Sequence, residues 1–243
     1  MRIVSIVPSL TELLFDLGLE KELVGRTKFC IHPAPDIKSI PKIGGTKTVN
    51  ISAVEALQPD LIIANKEENT KADVLALQKI SQVYVSDISN FAQALESIEQ
   101  IGRLTGRTEE AEILNEGIRK NFRKLPGKEG ARKKVAYLIW KAPLMTIGHD
   151  TFIHDMLEIC GFENVFGVQT RYPIITPDDL QKERPDYIFL SSEPFPFKDK
   201  HINEIEKILP DSKVVLVDGE YFSWYGSRML AAADYFERLI KEL

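Results

Sequence analysis

The string LLFDLGLEKELVG, from Leu13, returns as MLEICGFENVFG, from Met156, nearly position for position. The matches continue downstream in the same order. ISAVEALQPDLIIA, from Ile51, parallels ITPDDLQKERPDYIFL, from Ile175, and QVYVSD, from Gln82, parallels KVVLVDG, from Lys213. A chain that repeats once, in order and with unequal spacing, predicts two similar lobes with loop insertions and not a solenoid. Within each copy, short β-branched runs alternate with segments of helical period, which predicts an α/β fold of parallel sheets flanked by helices. Ligands of such sheets bind beyond the carboxyl ends of the strands, so two lobes imply a ligand cleft between them.

The copies flank TEEAEILNEGIRKNFRKL, Thr108 to Leu125, which reads as one long backbone helix. Thr108 is placed to cap it, Glu109 and Glu110 suit its amino end, and Arg119, Lys120, Arg123 and Lys124 suit its carboxyl end. Ile113, Gly117 and Phe122, extended by Leu114, Ile118 and Leu125, form the expected apolar seam. The expected division is residues 1–105 for the first lobe, 106–130 for the helix and linker, and 131–243 for the second lobe. Capping boxes are read at Ser9 to Glu12, at Ser52 to Glu55, and at Thr176 with Asp179, where Pro177 takes the first helical position. Asn164 to Phe166 reads as a short strand, and Phe29 to Lys42, with its prolines, as an irregular loop. His201 is expected to open a surface helix.

A net charge of −5 gives no support to a nucleic-acid partner, which demands clustered positive charge. Cys30 and Cys160 form no CxxC pair and read as two buried free thiols. No Walker A string, no GxGxxG after the first strand, no GxSxG elbow and no HExxH occurs. His149, beside Asp150, is either a loop hydrogen-bonding group or a metal ligand, and His32 is read the same way. No metal held by the protein's own side chains is expected.

The remaining chemistry is aromatic and loop-placed. Trp140 ends a strand, Arg171 and Tyr172 precede Pro173, and EYFSWYGSR, from Glu220, follows the last strand. Tyr221, Phe222, Trp224 and Tyr225 cannot all be buried by a strand's alternation, so part of this cluster is expected to be exposed to a flat apolar ligand or a partner surface.

VSIVPSLTELLFDLG, NISAVEALQPDLIIA, the central helix, MLEICGFENVFG and DGEYFSWYGSR, in this order, resemble the class III substrate-binding proteins of ABC importers, those with a helical backbone. The likeness is greatest to the cobalamin-binding members. The resemblance covers nearly the whole chain; no single motif is diagnostic, but the order of the five is specific. It implies two α/β lobes joined by one long helix, no catalysis and no prosthetic group. The implied ligand is a corrinoid or another metal chelate, with a siderophore or haem as the alternative. Matching positions put ligand contacts at Pro8, Ser9, Phe29, His32, Thr46, Asn65, Tyr221, Phe222, Trp224 and Arg228. Trp140, His149, Arg171, Tyr172 and Tyr225 are added from the loop reading. Asn65 departs from the pattern, which has a stacking tryptophan there.

The resemblance further implies docking on an ABC permease dimer at the membrane, through Glu67 or Glu68 on the first lobe and Asp178 on the second, by a monomer. It implies a periplasmic or extracellular, membrane-associated location. Met1-Arg2 runs straight into a strand-like string with no leader pattern, so a cytoplasmic corrinoid carrier is the alternative. A chelatase-like enzyme using His149 or His32 is the competing class.

Overall fold

A computed structural model describes residues 1–127 and 132–243, so part of the expected linker lies outside the described residues. The elements in chain order are β1 (Ile3–Ser5), α1 (Pro8–Asp16), β2 (Leu23–Arg26), β3 (Gly44–Gly45), β4 (Thr48–Val49), α2 (Ile51–Ala56), β5 (Leu61–Asn65), α3 (Lys71–Leu77), β6 (Gln82–Ser86), α4 (Phe91–Thr105) and α5 (Thr108–Phe122). They continue with β7 (Lys133–Leu138), β8 (Trp140–Lys141), β9 (Leu144–Met145), α6 (Phe152–Ile159), β10 (Phe162–Asn164), α7 (Pro177–Glu183), β11 (Tyr187–Ser191), α8 (Asp199–Glu206), β12 (Lys213–Val217), α9 (Gly219–Ser223) and α10 (Met229–Glu242). One turn of 3-10 helix, Asp36–Ser39, interrupts the proline-rich loop.

The duplication is realised in the sheets. One has the strand order β2-β1-β5-β6 and the other β10-β7-β11-β12, each entirely parallel. In both copies the second strand in sequence is an outer strand and the first and third are central. Burial explains the composition. Ile3, Val4, Ile62, Ile63, Ala136, Leu138, Ile188 and Leu190 are fully buried, as strands covered on both faces require. Each such Ile or Leu removed from water contributes about 1.5–3 kcal/mol.

The chain divides into two compact units. The first is Met1–Ile88, Ala92–Ile118 and Trp224–Leu230; the second is Ser89–Phe91, Arg119–Ser223 and Ala231–Leu243. Residues 224–230, expected with the second lobe, therefore pack with the first unit. The boundary also falls inside α5, after Ile118, instead of at its ends.

Several local expectations change. α1 begins at Pro8, with Val7 at the cap and no side-chain cap bond, so Ser9 and Glu12 form no capping box. Proline's fixed φ and missing N–H suit the first helical position and take the start from Ser9. α2 is capped by Asn50, whose side chain accepts from the Ala53 amide, and not by Ser52. The α7 box is present: Thr176 Oγ1 accepts from the Asp179 amide at 3.2 Å while the Asp179 carboxylate accepts from the Thr176 amide at 2.9 Å. The strand of the second copy lies at Phe162–Asn164, ahead of Val165 and Phe166, which pack in the core. α5 ends at Phe122, and its buried row is Ala111, Asn115, Ile118 and Phe122, whereas Ile113 is 64% exposed. Asn115 holds the buried position by donating from Nδ2 to the Leu95 carbonyl on α4 at 2.9 Å. Cys30 and Cys160 are buried free thiols, and burial pushes both above the ordinary thiol value.

Candidate functional site

In a parallel sheet every connection that follows a strand emerges at the carboxyl edge, and most of the expected site residues lie in such connections. In the first unit β1 leads into Pro8 and Ser9. Pro8 is half-buried and Ser9 buried. β2 leads into Thr27, Lys28 and Phe29. Thr27 Oγ1 accepts from the Phe29 amide at 3.3 Å, and the Phe29 ring stays 50% exposed with the Lys28 ammonium 5.0 Å from its centroid.

Asn65, at the end of β5, is no contact surface, because it is fully buried and its amide is committed. Its Nδ2 donates to the Ser86 carbonyl and Oγ, and its Oδ1 accepts from the amides of Glu67 and Glu68. Asn69 completes the turn, donating to the carbonyls of Ile6 and Thr46 while its Oδ1 accepts from the Asn65 amide. Thr46 is thus buried as an anchor for this turn. The turn presents Glu67 and Glu68. Burial pushes the Glu68 carboxyl above its ordinary value, with the charge of Lys47 opposing.

Trp224, Tyr225 and Arg228 belong to the same unit and are largely buried. The Arg228 guanidinium makes a two-point bond to the Glu12 carboxylate, at 2.9 Å from Nε and 2.7 Å from Nη2, and lies 4.7 Å from the Trp224 ring centroid. His32 meets Trp224 edge-on at 5.4 Å. Gly226 takes φ 111°, a backbone conformation that favours glycine, where the chain passes Ser9 and Leu13 of α1. Burial pushes the Glu12 carboxyl up, and the Arg228 bond and charge pull it down. Arg228 therefore has its charge neutralised by α1.

Tyr221 and Phe222 lie on α9 in the second unit. Phe222 is fully buried among Tyr137, Phe189 and Phe236, and Tyr221 stacks on Tyr235 at 4.6 Å. The expected exposure of the cluster fails for Phe222, Trp224 and Tyr225, because α9 inserts one ring into its own core and the following segment packs on α1.

Exposed apolar surface in the second unit lies elsewhere. β8 and β9 form an antiparallel hairpin that pairs Trp140 with Met145, and Met145 in turn bridges Ile174. Directly paired residues project from one face of antiparallel strands, so Trp140, Met145 and Ile174 form a row. Trp140 is 38% and Ile174 65% exposed, and Phe195 supports the indole edge-on at 5.7 Å. His201 holds the Phe195 loop. Its Nδ1 accepts from the Lys198 amide at 2.9 Å, and it is buried against Phe195 and Phe197 instead of on a surface.

Beside this row, Arg171 has a left-handed backbone at φ 59°, its amide donating to the Asp150 carboxylate. Its guanidinium lies 5.5 Å from the Tyr172 centroid. His149 is exposed and bonds through Nδ1 to the Gln169 carbonyl at 2.8 Å. Among the described residues no three His, Cys, Asp or Glu side chains gather to hold an ion, and no helix is long and apolar enough to cross a membrane. Asp178 is exposed in the first turn of α7. Sequence reasoning missed Lys28, Met145 and Ile174. The first was an unremarked lysine, and the others join the row only through strand pairing.

The chain is 30% identical over 197 residues to an uncharacterised ABC transporter substrate-binding lipoprotein of Bacillus subtilis, a match covering 77% of the chain and 62% of that relative's length. It is 25% identical over 242 residues to the vitamin B12-binding protein of Pectobacterium carotovorum, covering 96% of the chain and 85% of the relative. Its fold matches a periplasmic haem-binding protein of Vibrio cholerae with a TM-score of 0.83 at 23% identity, covering 99% of the chain and 98% of that structure. These similar proteins are binding proteins and not enzymes, which removes the chelatase reading. The family described as periplasmic binding protein matches residues 3–209, and the chain belongs to that family.

Proposed function

We propose that this chain is the substrate-binding protein of an ABC importer and that its ligand is a large, flat metal chelate, of the corrinoid or tetrapyrrole kind. The row of Trp140, Met145 and Ile174, exposed at Trp140 and Ile174 and half-buried at Met145, carries this reading. Three apolar side chains in register form a platform suited to stacking a flat ligand face. Relatives that bind vitamin B12 and haem support the ligand class, and the lipoprotein relative supports an extracytoplasmic, membrane-associated working place. The proposed permease contacts are Glu67 or Glu68 and Asp178, which stand on separate units. Calorimetric titration of the full chain with cyanocobalamin, haemin and a ferric siderophore tests the reading. At least one is expected to bind at one to one, and Trp140→Ala is expected to weaken it about tenfold through lost stacking and burial. No heat from any of them at micromolar protein overturns it.

A further inference from the structure

His149 stands at the far end of a backbone pairing that begins at the apolar platform. Beyond the Met145–Ile174 bridge the two segments stay paired: the amides of Thr146, Gly148 and His149 donate to the carbonyls of Pro173, Arg171 and Gln169 at 3.1, 2.8 and 3.0 Å. All of these residues belong to the second unit. Four extended residues span about 13 Å, so His149 stands within a tetrapyrrole's breadth of Met145.

The pairing fixes the ring's chemistry as well as its place. His149 Nδ1 lies 2.8 Å from the Gln169 carbonyl oxygen, which also accepts from the His149 amide. A carbonyl oxygen only accepts, so in the neutral ring Nδ1 carries the proton and Nε2 keeps its lone pair, on a residue exposed to solvent. Metal-bound histidines are oriented in this way, one nitrogen donating to a carbonyl and the other turned to the ion. The support is closely built. A Cβ at Gly148 would lie 2.4 Å from the Gln169 carbonyl oxygen, so only glycine leaves that oxygen in reach of the imidazole. Thr151 Oγ1 donates to the Gly148 carbonyl at 2.9 Å, and the Asp150 carboxylate accepts from the amide of Arg171, whose backbone is left-handed at φ 59°. Such a backbone at a residue other than glycine costs free energy and concentrates at ligand sites.

Among the described residues no three His, Cys, Asp or Glu side chains gather, so a bare ion finds no cage here. A planar chelate needs none, because it brings its metal with the equatorial ligands and leaves an axial position to an imidazole. Resting on the chelate-binding reading above, we infer that His149 Nε2 is the axial ligand of the bound metal, so that the site selects a flat chelate whose metal has an open axial position.

Haemin, metal-free protoporphyrin IX, cyanocobalamin and a ferric siderophore are the probes, titrated against the full chain by tryptophan fluorescence and visible absorption. The first two share a ring and differ in the metal, whereas the last two have no open position at theirs. Haemin is expected to bind about tenfold more tightly than protoporphyrin IX and to show the absorption spectrum of imidazole-ligated iron. His149→Ala removes that spectrum and weakens haemin about tenfold, to the affinity of protoporphyrin IX. Its binding of protoporphyrin IX and its melting temperature stay those of the parent, which reports that the variant is folded. Haemin bound by His149→Ala with the parent's affinity and spectrum overturns the axial role and leaves the chelate-binding reading standing. Binding of cyanocobalamin or the siderophore but not of haemin does the same. If none of the four binds, both fall.

Discussion

Glu12 and Arg228 are the residues whose roles changed most between sequence and structure. Glu12 reads as a local capping partner of Ser9, and Arg228 as a ligand contact at matching position. In the structure they bond to each other across 216 residues of sequence, with side chains only 16% and 12% exposed. No local pattern announces such a pair, since its two halves obey no shared spacing. Its energetics follow from burial. Removing one partner leaves the other charge desolvated, so Arg228→Met should cost about 3–5 kcal/mol. Glu12→Gln combined with Arg228→Met should cost less than the two single changes added together, because no charge is then left alone. Chemical denaturation of the four proteins measures this, and strict additivity would show that the pair does not hold residues 224–230 on α1.

At the scale of elements, strands were the most legible. LIIA and YIFL are continuous apolar runs because β5 and β11 are covered on both faces, and hydrophobic content alone reveals that. Helix starts were legible only where the cap is local. α7 is the case that succeeds, and its box makes a pH prediction. The Thr176 hydroxyl and amide bonds hold the Asp179 carboxyl below its ordinary value of 3.8. A lowered folded-state value contributes stability above the unfolded value and loses it as pH falls through the folded one. Asp179→Ala should therefore lower the melting temperature at pH 7, and the gap to the parent should narrow as pH falls from about 5 towards about 3. A gap that is constant with pH would mean that ionised Asp179 does not cap the helix. The Ser9 and Ser52 boxes failed because Pro8 and Asn50 compete for the same helix starts, and α5 buries Asn115 where the apolar seam led towards Ile113.

For the whole molecule, the duplication was legible because it is written in matching strings, and it fixed the shared sheet order of the two units. The placement of residues 224–230 with the first unit was not, since it depends on tertiary contact and not on period. The candidate site followed the same division. Loop aromatics were visible as residues, but which stay exposed is decided by what packs on them: α9 buries Phe222, while strand pairing exposes Trp140 and Ile174. The central claim is that a flat chelate contacts the β8–β9 hairpin and the connection leaving β10, both within the second unit. Amide hydrogen exchange of the chain with and without bound chelate tests this most directly. Slowed exchange in residues 140–145 and 171–174 is the predicted result. Unchanged exchange in both, with protection confined to other segments, would contradict the claim.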